Sequence, residues 1–162
     1  IAPDAQVSMT NLSEGDAAAL NDGLFLVNQF VNSVFTDLYV PHVVFEKKTR
    51  ITIEFKEYRT VRAVMIYNSH IIENNFDEVE KIEFFCRDEK GKYTAAINGL
   101  SYDLKANANI DETDGTAVYS RPGGAAIAEF DEISVNKIVI TVDVPKEAEF
   151  VRMSEIVVLG RR

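Results

Sequence analysis

The strongest constraint on the fold of this chain is a hydrophobic repeat of two residues. Ile51, Ile53 and Phe55 alternate with Arg50, Thr52 and Glu54. Val61, Ala63, Met65 and Tyr67 alternate with Arg62, Val64 and Ile66, and Ile138, Ile140 and Val142 recur within the β-branched run 134–142. Successive side chains of a strand point to opposite faces, so this repeat describes half-buried strands and does not match the 3.6-residue period of a helix. It predicts that Ile51, Ile53, Phe55, Ile138 and Ile140 share one core between two sheets.

Turn residues divide the rest of the chain. A short strand is expected at 7–9, and Ser13-Glu14-Gly15-Asp16 introduces about one helical turn over 17–20. Residues 24–45 are rich in Phe and Val but lack a clean period and contain Pro41, which reads as an irregular crossing with short strands. Lys56-Glu57-Tyr58-Arg59 reads as a polar turn between two strands, and 68–77 as an exposed loop. Ile82, Phe84 and Cys86 alternate in a further strand, and Asp88-Glu89-Lys90-Gly91-Lys92 closes a hairpin into 93–97, with Gly91 suited to a left-handed turn position. Pro145 ends the run 134–142, and 151–159 forms the last strand. About eight strands with turns at intervals of roughly 8 to 12 residues predict an all-β, antiparallel β-sandwich.

At 162 residues, 46% of them hydrophobic, the chain reads as a single domain over 1–162 with a core that needs no disulfide. The excess of 26 acidic over 17 basic residues, a formal net charge of -9, disfavours nucleic acid and anionic membranes and suits a neutral or cationic partner. The single Cys86 reads as a small strand residue. No apolar run approaches the roughly 18 to 20 residues that cross a bilayer, so no membrane insertion is expected, and no basic segment followed by an apolar core opens the chain. Starting at Ile1, with Ala2-Pro3-Asp4 as a linker tail, it reads as a processed protein or a module excised from a larger multimodular chain with neighbouring domains.

Near the start, Ala19-Leu20-Asn21-Asp22-Gly23-Leu24 joins a small apolar stretch to a sharp corner. Asp22 and the local carbonyl oxygens are hard ligands of the kind calcium takes, and Glu155 in the last strand is a second carboxylate if the two ends of the domain meet. The same residues also fit an ordinary turn and a solvated glutamate.

The order of Ala19-Leu20-Asn21-Asp22-Gly23, Ile51-Thr52-Ile53-Glu54-Phe55, Val61-Arg62-Ala63-Val64-Met65-Ile66-Tyr67-Asn68 and Ser154-Glu155-Ile156-Val157-Val158-Leu159-Gly160 resembles a discoidin or coagulation factor type C domain. That family belongs to the galactose-binding-like jelly rolls, whose bacterial members include carbohydrate-binding modules of secreted glycoside hydrolases. The resemblance implies a structural calcium held by Asp22 and Glu155. It departs at Leu24-Phe25-Leu26-Val27, where apolar residues replace a polar turn and leave Asn28 as the nearest substitute ligand. It also implies a glycan site, of galactose type, in the end loops, where Tyr39, His42, His70, Asn74, Asn75 and Phe150 supply aromatic faces, amides and imidazoles for sugar rings and hydroxyls.

No nucleophile elbow, Gly-rich phosphate loop or pair of histidines at metal spacing occurs. Glu73, Asp77, Glu78 and Glu80 read as a solvated acidic face. The expectation is a non-catalytic carbohydrate-binding module, secreted or on a bacterial cell surface, and not an enzyme. The alternative is a structural or adhesive protein-interaction module without sugar binding, which the same fold supports.

Overall fold

A computed structural model of the chain describes residues 4–24, 41–69, 74–95, 110–111, 119–120 and 125–161. Among them are strands β1 (Gln6–Met9), β2 (Val43–Phe45), β3 (Thr49–Asn68), β4 (Val79–Arg87), β5 (Tyr93–Ala95), β6 (Ile110–Asp111), β7 (Tyr119–Ser120), β8 (Ala125–Val142) and β9 (Val151–Arg161), with one 3-10 helix at Ala17–Asn21. All strand pairings are antiparallel. β6 and β7 pair only with each other.

The architecture is an antiparallel β-sandwich in which β3 and β8 each serve both layers. The first part of β3, around Ile51 to Glu54, lies between β1 and the end of β8, which is followed by β4 and β5. The second part of β3, from Thr60 to Asn68, lies between the start of β8 and β9, and β2 completes that side. A strand that passes from one layer to the other must bend, and a local excess of residues on its outer side permits it. Glu54 pairs with Lys137 and Arg59 with Val135, so the four residues from Phe55 to Tyr58 stand opposite Asn136 alone.

This corrects the reading of Lys56-Glu57-Tyr58-Arg59 as a turn between strands. The stretch is polar because Lys56, Glu57 and Tyr58 face water on the outside of the bend, while the strand continues through it. Arg59 turns its side chain back inwards, with Asp4 at 3.6 Å and Glu57 at 3.7 Å. Asn136 is buried in the inner curve, and its Oδ1 accepts a hydrogen bond from the Arg87 N–H at 2.9 Å.

Ile51, Ile53, Phe55, Ile138 and Ile140 are buried together in one cluster, as the alternation predicts. Val61, Val64 and Ile66 of the second half of β3 belong to the same cluster, so both layers close over one core. The phase in this half differs from the simple alternation. Val61 pairs with Gly160 and Ala63 with Leu159, which leaves Arg62 as an extra residue. Beyond that bulge Val64, Ile66 and Asn68 are buried while Met65 and Tyr67 are only partly so, because a one-residue slip exchanges the two faces of a strand. At the same crossing β9 lies very close to β3: a Cβ on Gly160 would overlap the Thr60 carbonyl oxygen.

The segment expected as an exposed loop over 68–77 is anchored at both described ends. Asn68, Ser69 and Phe76 are fully buried. Asn68 Oδ1 accepts from the Phe76 N–H at 2.8 Å, and its Nδ2 donates to the Phe76 carbonyl at 3.1 Å. One amide thus satisfies both backbone polar groups of a buried residue, and the Phe76 side chain is itself fully buried in the core.

Candidate glycan and calcium sites at one end of the sandwich

The chain reaches the first site through its 3-10 helix. Asp16 caps this turn by accepting from the Ala18 N–H at 3.0 Å, and Leu20 anchors it with a fully buried side chain. Asn21 ties it to β1 by donating to the Ala5 carbonyl at 3.0 Å. Asp22 then folds over its own backbone, its Oδ1 accepting from the Leu24 N–H at 2.7 Å, and Gly23 adopts φ +81°, which a side chain would resist.

That conformation turns the Gly23 N–H towards the last strand, where it donates to Glu155 Oε2 at 3.0 Å. Residues 132 positions apart are thereby joined. Glu155 is 2% exposed and pairs across the sheet with Tyr67. Its neighbourhood is buried without a break from Val151 through Ile156, apart from half-buried Arg152, because β9 slips in register: Tyr67 faces Glu155 but Asn68 faces Met153. The bypassed Ser154 donates its hydroxyl to the Asn68 carbonyl at 2.8 Å.

Burial is the largest influence on Glu155 and pushes its pKa up to about 8; the charge of Asp22 and a hydrogen bond with its side chain act in the same direction, against the Gly23 and Ile156 N–H groups. The Tyr67 hydroxyl is likewise pushed up, first by burial and then by Glu155. Two carboxyl groups thus meet at one corner, where the buried one is held in its neutral form at neutral pH. A hard cation at this corner would have to displace that proton and would then meet the carboxylate oxygens of Asp22 and Glu155. Among the described residues no group of three or more His, Cys, Asp or Glu side chains is arranged to hold a metal, so the remaining ligands would be backbone carbonyls or residues outside that set. Asn28 lies outside the described residues.

The second group of candidates gathers around the start of β9. Arg152 faces Val44 of β2 across a pair without mutual hydrogen bonds, so its own backbone groups point the other way. Its N–H donates to the Asn74 carbonyl at 2.8 Å, and its carbonyl accepts from the Ser69 N–H at 3.2 Å. Asn74 takes φ +63°, a left-handed conformation that Asn tolerates. The Arg152 guanidinium carbon stands 4.5 Å from the centre of the Phe150 ring, and both side chains are half-buried.

The structure therefore brings Asn74 and Phe150 to one place, through Arg152, with half-buried Asn75 adjacent to Asn74 in the chain. His42 immediately precedes Val43, which pairs with Met153 on the opposite edge of β9, and it too is half-buried. Tyr39 and His70 lie outside the described residues. Sequence reasoning missed Arg152. The signal was available in the period of two, since Phe150 and Arg152 flank the buried Val151 and so share a face.

The acidic residues set apart as a solvated face are partly neutralised. Lys48 Nζ lies 2.8 Å from Glu80 and 3.1 Å from Asp143. Glu73 lies outside the described residues.

No protein-family model and no curated protein matches the chain. Among solved structures, it is similar to the family 32 carbohydrate-binding module of Clostridium perfringens NanJ in complex with galactose, with TM-score 0.57 and 13% identity over 96% of this chain and 93% of that one. The chain shares the β-sandwich fold of that module. A chitosan-binding module of a chitosanase/glucanase from Paenibacillus sp. IK-5 shares this fold with TM-score 0.58 and 10% identity, over 98% of this chain and 97% of that one. So does part of a Ruminococcus gnavus GH29 fucosidase mutant in complex with fucose, with TM-score 0.58 and 15% identity, where 99% of this chain matches 26% of that one. Among the described residues no helix is long and apolar enough to cross a membrane.

Proposed function

We propose that this chain is a non-catalytic carbohydrate-binding module of a secreted or cell-surface bacterial protein, working beside neighbouring domains of a larger chain. The observation that carries the reading is the convergence of Phe150, Arg152 and Asn74 on β9, on a fold that several solved carbohydrate-binding modules share. An aromatic ring offers its face to the C–H side of a pyranose, while amides and imidazole bond its hydroxyls. His42, Asn75 and, by family resemblance, Tyr39 and His70 complete this proposed site for a galactose-type sugar.

Calcium is part of the same proposal. Asp22 and Glu155 would hold it, with Asn28 as a further ligand by resemblance, and the ion would supply positive charge that fixes the corner as a structural clamp.

Chemical-shift titration of galactose and of a glycan panel, with calcium and with chelator, tests both parts. Millimolar galactose is expected to move resonances of residues around 74–76 and 150–152, and this binding should fall at least about tenfold in Phe150→Ala, His42→Ala or Asn75→Ala variants that keep the fold. Unchanged titrations in all three variants would remove the site. Calorimetry should register calcium binding to the wild type and not to Asp22→Asn.

A further inference from the structure

The outer side of the bend in β3 carries a feature that the proposed function does not use. Lys56, Glu57 and Tyr58 on the bend and Arg87 and Asp88 where β4 ends enclose a cleft of about 550 Å³, with buried Asn136 between them. That size lies within the roughly 300 to 1,000 Å³ of small-molecule sites. The walls are tied together: Tyr58 donates its hydroxyl to the Arg87 carbonyl, Arg87 Nη2 donates to the Lys56 carbonyl at 3.2 Å, and the Arg87 N–H donates to Asn136 Oδ1 at 2.9 Å. The hairpin turn beyond is equally fixed, since Asp88 Oδ1 accepts from the Lys90 and Lys92 N–H groups at 2.9 and 2.8 Å. Tyr58 is held in an uncommon sense. A surface tyrosine usually rests its ring on the protein and leaves its hydroxyl to water. Here the hydroxyl is bound to backbone while the residue is 52% exposed, so the ring is what meets solvent. An aromatic face fixed at the side of a rigid cleft gains from an apolar surface brought against it.

We propose that this cleft is a second saccharide site, separate from the one at Phe150, in which the C–H face of a neutral pyranose packs on Tyr58. The charges around the ring select the ligand. Lys56 and Arg87 only donate hydrogen bonds, whereas Glu57 and Asp88, when ionised, only accept them. An anion or a cation would be opposed by one half of this lining. Neighbouring sugar hydroxyls, which both donate and accept, satisfy the two halves at once. The cleft lies at the opposite end of the second layer from Phe150: Thr60, just past the bend, pairs with Arg161 at the end of β9, and Asn68 pairs with Met153 near its start. Eight steps of strand, at about 3.3 Å each, set the two ends roughly 26 Å apart. With both sites filled, the chain would tie two glycan strands together.

The experiment is an NMR titration of the whole chain with methyl galactoside, methyl glucoside and methyl N-acetylglucosaminide, read at the amides of 56–58 and 87–91. At least one glycoside is expected to shift them saturably, and to do so equally in Phe150→Ala. Tyr58→Leu, which keeps an apolar side chain without the ring, should weaken this binding about tenfold, whereas Tyr58→Phe, which keeps the ring, should stay within about threefold of the wild type. Lys56→Ala removes a hydroxyl donor from the same wall; it should also weaken binding, and it decides the matter if Tyr58→Leu does not fold. Shifts confined to 74–76 and 150–152 would overturn this inference and leave the proposed function standing, as would binding at the bend that a folded Tyr58→Leu leaves unchanged. Shifts at the bend with none near Phe150 would support the inference and remove the first site. No shift at either end with any of the glycosides would overturn both.

Discussion

Asn68 shows how a single side chain can hold a chain segment in place. Its amide meets both the N–H and the C=O of Phe76, and its own carbonyl receives the Ser154 hydroxyl, all in a buried setting. Replacing Asn68 by Asp preserves the shape and one acceptor but sets a carboxylate oxygen against the Phe76 carbonyl. Such a variant should lose about 2 to 4 kcal/mol of unfolding free energy, measured by urea denaturation, because a buried acceptor loses its donor and gains a repulsive neighbour. Resonances of 74–76 should shift with it. A loss below about 0.5 kcal/mol would show that the amide clamp is not what fixes this segment.

The long strands are the elements on which the rest depends. In β3 the sequence displays both halves clearly, since Ile51, Ile53 and Phe55 alternate on one side of the bend and apolar residues resume at Val61. It conceals their continuity, because the exposed outer side of a bend has the same polar composition as a turn. The phase change at Arg62 is hidden for a related reason: Met65 and Tyr67 are as apolar as Val64 and Ile66, so composition does not say which pair faces inwards. At the site, Asp22 and Glu155 became connected through their family resemblance, since nothing local links residues so far apart. Arg152 was legible only from its same-face relation to Phe150. The close crossing of β3 and β9 gives a direct test of the register. Gly160→Ala should be destabilised by about 1 to 3 kcal/mol, which for a domain of this size lowers the calorimetric melting temperature by roughly 3 to 10 °C, because the added methyl meets the rigid Thr60 backbone. An unchanged melting temperature would mean that the end of β9 is free to move aside.

At the scale of the whole molecule, the corner at Gly23 and Glu155 links the first turn to the last strand and makes global stability sensitive to pH. The Glu155 pKa rises from 4.5 to about 8. In metal-free protein its contribution is therefore fully present below pH 4.5 and is lost as pH rises from there through about 8, a change of at most about 5 kcal/mol. Denaturation in chelator from pH 5 to 8 should show this decline, and Glu155→Gln, which keeps an acceptor for the Gly23 N–H, should lack it. A wild type and variant with parallel pH profiles would exclude Glu155 as the source. The passage of β3 and β8 through both layers has a different consequence: the sandwich has no internal seam. Opening either layer strips hydrogen bonds from strands that the other layer also uses, so the core cannot be pried apart as two separable slabs. Amide protons on the two sides of the bend, at Ile53 and at Ile66, are then bound to exchange through one common opening, and a protease that gains either layer gains the other in the same event.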